Sequence, residues 1–143
     1  MSRFRITTDP LDETAVRAGL ATDRDGAVVV FAGVVRDENR GRRVRWLEYE
    51  AYEAMAVPVL RQVAAEVQRE FGVKRLRVHH RLGRVEIGEA SVLVATAAPH
   101  RGAAFQAAQH VMDEIKRIVP IWKREFFVGG DVWVEGPGAP VSE

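Results

Sequence analysis

The chain has 143 residues and no cysteine. That length suits one domain with a real core, and the lack of thiols excludes disulfides, thiolate metal sites and a cysteine nucleophile. Hydrophobic residues make up 47% and charged residues 29%, a globular and not a disordered balance, while a net charge of +1 leaves no global field to draw nucleic acid or membrane, so any anion binding must come from local clustering.

The first ten residues, MSRFRITTDP, hold no apolar run for a signal peptide, and no window approaches the roughly 18 consecutive apolar residues of a membrane helix. A cytoplasmic protein is the expectation. Alternation around Phe4 and Ile6 predicts a short strand over 3–7. Thr8 or Asp9 then caps a short helix, with Pro10 at its first position and Asp12 and Glu13 at the positive end of its dipole. Residues 27–35, AVVVFAGVV, form a β-branched run that fits a strand buried on both faces. Gly33 within it marks a bulge or a close backbone approach. The run breaks into RDENRGRR, where Asn39 and Gly41 are turn residues. Arg40, Arg42 and Arg43 read as a solvated, flexible turn. Arg36 differs, because a rigid strand end aims it, and that placement suits a functional role.

Residues 44–52 predict a second strand, with Val44, Trp46 and Glu48 on one face and Leu47, Tyr49 and Ala51 on the other. Met55, Val59, Leu60, Val63, Val67 and Phe71 recur at helical spacing up to Gly72, a packing helix with a glycine cap. Leu76, Val78, His80 and Leu82 alternate with Arg75, Arg77, His79 and Arg81, which predicts a strand with one buried face. Val85 and Ile87 give a short strand, and 91–97 a near-continuous apolar one. His79 and His80 point to opposite faces and cannot share a metal. Neither His100 nor His110 reads as part of a ligand pair, so no metal site is expected.

Ala104, Phe105, Ala108, Val111, Met112, Ile115 and Val119 make the apolar stripe of a helix over 102–119, with His100 and Arg101 just before it. Lys116 falls at the edge of the stripe. There a lysine either snorkels harmlessly or is half desolvated and primed for chemistry, and periodicity leaves both readings open. Pro120 stops the helix. Residues 121–128 alternate as a strand, with Lys123 and Glu125 on one face and Arg124 on the other. Gly129-Gly130-Asp131 turns the chain into a last strand, and the Gly/Pro-rich 136–143 reads as a flexible tail behind a single domain over 1–135.

No serine sits in a nucleophile elbow, and there is no P-loop or Gly-x-Gly-x-x-Gly turn. What remains is basic: His100 and Arg101 at a helix start, with Lys116, Lys123 and Arg36. Backbone N–H groups at a helix start favour phosphate or carboxylate, and arginine adds bidentate recognition. The inference is a pocket for a phosphorylated small molecule, with lysines available for proton transfer or for holding an anion.

Several segments together resemble one known family: Phe31-Ala-Gly-Val-Val-Arg36 with Asn39 and Gly41; Leu47-Glu-Tyr-Glu-Ala-Tyr52 with Met55 and Ala56; His80-Arg-Leu-Gly83 with Ile87-Gly-Glu89; His100-Arg101 with Ala104 and Phe105; and Asp113-Glu-Ile-Lys116 followed by Pro120-Ile-Trp-Lys-Arg-Glu125. From about Phe4 to Val134 the chain is similar to the large, catalytic subunit of molybdopterin synthase. The resemblance implies an α+β fold, an α/β hammerhead with an additional antiparallel β subdomain. It implies a sulfurtransferase that converts cyclic pyranopterin monophosphate to molybdopterin, with no tightly bound cofactor. The sulfur would come from a C-terminal thiocarboxylate on a small ubiquitin-like subunit, which fits a catalytic chain without cysteine. The assembly implied is a homodimer with a small subunit at each end, a heterotetramer that needs neither nucleic acid nor membrane.

By the same resemblance, Lys116 would lie beside the thiocarboxylate and Lys123 near the pterin. Arg36, His100 and Arg101 would bind the substrate and its cyclic phosphate, the last two from across the dimer. Val34, Val35, Arg124 and Glu125 would line the same pocket. Arg124 stands where many relatives carry a second lysine, keeping the charge but not the geometry. Two other readings compete: a stand-alone enzyme acting on a phosphate ester, and a non-catalytic RNA-binding or protein-interaction module using the arginine-rich loop 36–45. The second lacks the aromatic stacking motif of RNA readers.

Overall fold

The computed structural model describes residues 3–137. In chain order the elements are β1 (Phe4–Thr7), α1 (Glu13–Arg17), β2 (Ala27–Val34), β3 (Glu38–Asn39), β4 (Arg42–Ala51), α2 (Glu53–Phe71), β5 (Arg75–Arg81), β6 (Gly83–Glu86), β7 (Ala90–Ala98), α3 (Arg101–Ile118), β8 (Ile121–Phe127) and β9 (Val132–Glu135). The strands form two sheets. One has the order β1-β5-β7-β2, and the other runs β3-β4-β8-β9 with β6 also on β4. Among the described residues, only the β1–β5 pairing is parallel. A helix-backed sheet joined to an antiparallel β unit is the α+β arrangement expected.

The first sheet is covered on both faces. The apolar stripes of α2 and α3 press Leu60, Val63, Val67, Ala104, Val111 and Ile115 against Leu76, Val78, Val92 and Val94. On the other face, Val16 and Leu20 pack on Leu93, Ala95 and Ala97. This second layer corrects the one-sided reading of β5: Arg77 and His79 are buried as well. Arg77 is tolerated there because its guanidinium donates to the carbonyls of Val16 and Ala18, the free acceptors at the end of α1. Burial lowers the pKa of His79, and the neighbouring charges of Arg5 and Arg77 add to the effect. Helix α1 itself begins later than predicted. Asp12, not Thr8 or Asp9, is its cap, accepting from the Thr14 N–H at 2.9 Å.

Strand β2 is also not the doubly buried strand its composition suggests. It lies at the sheet edge, with Phe31 at 40% and Val34 at 54% exposure. Gly33 does what its position implied: the β2–β7 register shifts beside it, and a Cβ there would stand 2.8 Å from Val92 Cγ1. In the second sheet, a register shift between Val44 and Trp46 puts Val44 and Leu47 in one cluster with Val35, Val85 and Phe127, although simple alternation sets them on opposite faces.

Candidate active site

The two sheets and the end of α3 enclose a cleft of about 370 Å³, within the range of small-molecule sites. The end of β2 and the residues after it contribute Phe31, Val34, Val35 and Arg36, followed by Glu38 and Asn39. From the first sheet come His80, Ser91 and Val92, and from the second Leu47, Tyr49, Ile121, Lys123 and Glu125. The last turns of α3 bring Met112, Ile115 and Lys116, and Glu135, Gly136 and Pro137 close the rim.

Each charged group arrives for a local reason. Ile115 is buried in the α3 stripe, so its neighbour Lys116 emerges at the stripe edge. The carbonyl end of the helix dipole favours a cation at that point. The ammonium of Lys116 and the guanidinium of Arg36 have no ion-pair partner among the described residues. Lys123 sits opposite Glu135 in the β8–β9 ladder, with Nζ 3.4 Å from its carboxylate. Glu125, two residues along the same face, is 3% exposed. It is held by Asn39, whose Nδ2 donates to Oε1 at 2.9 Å and to Oε2 at 3.0 Å. The lining therefore carries three cations and three carboxylates, but Glu125 and Glu135 are already engaged. Arg36 and Lys116 are thus the cations left to meet an anion locally, while Glu38 and Glu125 keep the lining as a whole near neutral.

His80 is 4% exposed, and burial pushes its pKa down to about 4, opposed in part by the Arg81 carbonyl. Its Nδ1 lies 2.9 Å from that carbonyl, and its ring meets Tyr49 edge-on with centroids 5.0 Å apart.

Of the residues expected at a site, Val34, Val35, Arg36, Lys116, Lys123 and Glu125 line this cleft. Arg124 does not. Strand alternation turns it to the other face of β8, where Nη1 lies 3.5 Å from Glu50 Oε1. His100 and Arg101 do not line it either. They are exposed at the opposite end of α3, about 22 Å from Lys116 at 1.5 Å per residue. Tyr49, His80, Met112 and Glu135 line the cleft without having been singled out for it. A signal existed for Glu135: counting register back from the glycine turn pairs it with Lys123. For His80 the signal was a polar group in the buried row of Leu76 and Val78.

The arginines of the tip are exposed, as expected, but several of them also lie on aromatic rings of their own chain. Arg40 and Gly41 both have positive φ, 54° and 76°, the two-residue hairpin turn that connects β3 to β4. Arg40 stacks on Trp133 at 4.5 Å. Arg42 lies 4.6 Å from the Phe127 ring centroid and pairs with Asp131 at 2.8 Å. Arg45 and Arg84 both cover Trp46, at 4.8 and 4.0 Å.

Elsewhere, Glu66, His110 and Glu114 have ligand atoms within 4.8 Å of one another. Contrary to the reading of His110 as isolated, Glu114 follows it at i,i+4. These atoms satisfy each other. His110 Nε2 is 2.9 Å from Glu66, and Arg117 donates to Glu114 at 2.8 Å, lowering the Glu114 pKa. The cluster ties α2 to α3.

Comparison with known proteins extends the picture from the cleft to the chain. The model of the MoaE protein family matches residues 6–118. The molybdopterin synthase catalytic subunit of Bacillus subtilis is 40% identical over 134 residues, covering 94% of this chain and 85% of that protein. Among solved structures, molybdopterin synthase from Staphylococcus aureus superposes with a TM-score of 0.86 at 36% identity, over 97% of this chain and 99% of that one. A chain from the complex of subunits 1 and 2 of the molybdopterin-converting factor of Helicobacter pylori superposes with a TM-score of 0.73 at 26% identity, over 88% and 86%.

Proposed function

The chain belongs to the MoaE protein family, and from that premise we propose that it is the catalytic subunit of a molybdopterin synthase, a sulfurtransferase that takes sulfur from the thiocarboxylate tail of a small ubiquitin-like subunit and adds it to cyclic pyranopterin monophosphate. The observation that carries this reading is the cleft between the sheets, where Lys116, Lys123 and Arg36 converge in a chain with no sulfur nucleophile of its own.

Both reactants are anions, a thiocarboxylate and a cyclic phosphate, so their approach is opposed by charge. Cations held in a partly desolvated cleft offset that repulsion before reaction and stabilise the charge that moves during it. Lys116, exposed at the end of α3, meets the incoming tail. Its sulfur displaces an oxygen at a carbon of the pterin side chain: the C–S bond forms as the C–O bond breaks, the oxygen leaves on phosphate or, protonated, as water, and carrier and substrate are left joined as a thioester. Water then adds at the carbonyl, releasing the carrier as a carboxylate and leaving sulfur on the pterin. Two such rounds supply the two dithiolene sulfurs. Lys123, oriented by Glu135, serves the pterin side of the site, and Arg36 takes the phosphate. Val34 and Val35 provide apolar contact, and Glu125 holds Asn39 and the β3–β4 hairpin against β8. His100 and Arg101 act in the cleft of a second copy, which makes the functional unit a homodimer. An RNA-binding role for loop 36–45 has less support, because Arg40 and Arg42 already lie on rings of their own chain.

The test is reconstitution. Purified chain, thiocarboxylated small subunit and cyclic pyranopterin monophosphate are expected to yield molybdopterin. Turnover of the pterin without the small subunit would point instead to a stand-alone enzyme.

A further inference from the structure

We propose that His80 is a substrate-binding residue of the cleft, its bare Nε2 accepting a hydrogen bond from an N–H on the pyrimidine edge of the bound pterin. This rests on the functional reading above and deepens it, because the cations and the phosphate account for the charged end of the substrate but not for the recognition of its ring.

The assignment comes from the two ring nitrogens. Nδ1 lies 2.9 Å from the Arg81 carbonyl. A carbonyl can only accept, so Nδ1 carries the proton. At neutral pH the ring is uncharged, its pKa pushed down to about 4 by burial, so it has no second proton and Nε2 is an open lone pair. Nε2 has no hydrogen-bond partner among the described residues. It is not sealed off either, since the buried side-chain polar atom without a partner among those residues is Arg81 Nε. His80 is only 4% exposed and lines the cleft, so what exposure it has opens there.

A histidine serving packing alone would be expected to satisfy both nitrogens within the protein. Here the protein fixes the tautomer through one nitrogen, braces the ring with Tyr49 at 5.0 Å, and leaves the other nitrogen without a partner among the described residues, in a side chain that lines a ligand site. Two of the three carboxylates of the lining are engaged, Glu125 by Asn39 and Glu135 by Lys123, and the third, Glu38, belongs to the β3 end of the cleft. A neutral acceptor suits a neutral N–H donor: it pays little desolvation and does not repel the substrate's phosphate.

The experiment titrates cyclic pyranopterin monophosphate into the full-length chain and follows pterin fluorescence for wild type, His80→Asn and His80→Gln. Asparagine keeps a donor near the Nδ1 position and removes the Nε2 acceptor. Glutamine reaches the Nε2 position with its amide oxygen. His80→Asn is expected to raise Kd about 10-fold to 100-fold, the effect of leaving a buried donor without its acceptor. His80→Gln should recover most of that loss, and affinity for inorganic phosphate should not move in either variant. Nitrogen NMR of wild-type His80 provides a readout that needs no variant: the Nε2 resonance should shift upfield at saturating pterin while Nδ1 stays put. An unmoved Nε2 resonance, or a His80→Asn Kd within about twofold of wild type, overturns the assignment while leaving the synthase reading intact. If wild type itself binds no pterin, the functional reading falls and the assignment falls with it.

Discussion

Arg36 and Arg42 lie on one short stretch of chain and meet opposite fates. Arg42 spreads over Phe127 and pairs with Asp131, so its charge is spent on holding the β3–β4 hairpin to the β8–β9 hairpin. Arg36 leaves the end of β2 into the cleft with no ion-pair partner among the described residues. Lys116 stands with Arg36, and Arg40 and Arg45 stand with Arg42. A count of basic residues would rank the tip above the cleft as an anion site. The engaged state of each charge reverses that ranking, because a cation already on a ring or a carboxylate has less left to give a ligand.

The sharpest test of this contrast is Lys116→Ala. The lysine is exposed, so stability should stay within about 0.5 kcal/mol of wild type, read from the thermal midpoint. Molybdopterin formation should fall at least about 100-fold, the scale of losing one preorganised charge in a transition state. Near-wild-type turnover would break the division between cleft and tip at its strongest point.

The histidines extend the comparison to pH. Burial depresses His80 to about 4 from an unfolded value near 6.5. The unfolded chain therefore binds a proton that the folded chain refuses, and stability is lost as pH falls from about 6.5 toward 4. Over that window the loss for His80 alone is on the order of 3 kcal/mol, and the lowered pKa of His79 adds in the same direction. Denaturant midpoints measured between pH 7 and 4.5 should fall in wild type and fall less steeply in His80→Gln. A slope unchanged by that substitution would mean that His80 is not the group refusing the proton.

Asn39 joins the two regions, since it belongs to the tip but its amide serves the buried Glu125 of the cleft. Asn39→Ala should cost about 1–3 kcal/mol, the penalty for stranding a buried acceptor. A paired Asn39→Ala, Glu125→Gln variant should recover part of that loss by removing the stranded charge. Strictly additive losses would show that the two residues are not coupled.

The legible parts of this molecule are those set by local pattern. The stripe of α3 put Lys116 at its edge, the strand end at Val35 aimed Arg36, and alternation in β8 put Lys123 and Glu125 together and Arg124 apart. Patterns of this kind show which face a residue takes but not what covers that face. The apolar run of β2 reads the same at a sheet edge as at its centre. The arginines of β5 gave no sign that α1 would supply carbonyls for Arg77. The register shift near Val44 and the rings beneath Arg40 and Arg42 are products of pairing between distant segments, and they appear only once the strand order is known.

The smallest effect belongs to the tip itself. Arg42→Ala removes one ring contact and one largely exposed ion pair, together worth about 1 kcal/mol, or roughly 3 °C in the thermal midpoint of a chain this size. Molybdopterin formation should be unchanged once the protein is folded, and affinity for the cyclic pterin likewise, because the hairpin remains tied through Asn39 to Glu125. A loss of turnover comparable with that of Lys116→Ala, at a midpoint only a few degrees down, would place the tip inside the site. The charge on Arg42 would then be doing more than holding two hairpins together.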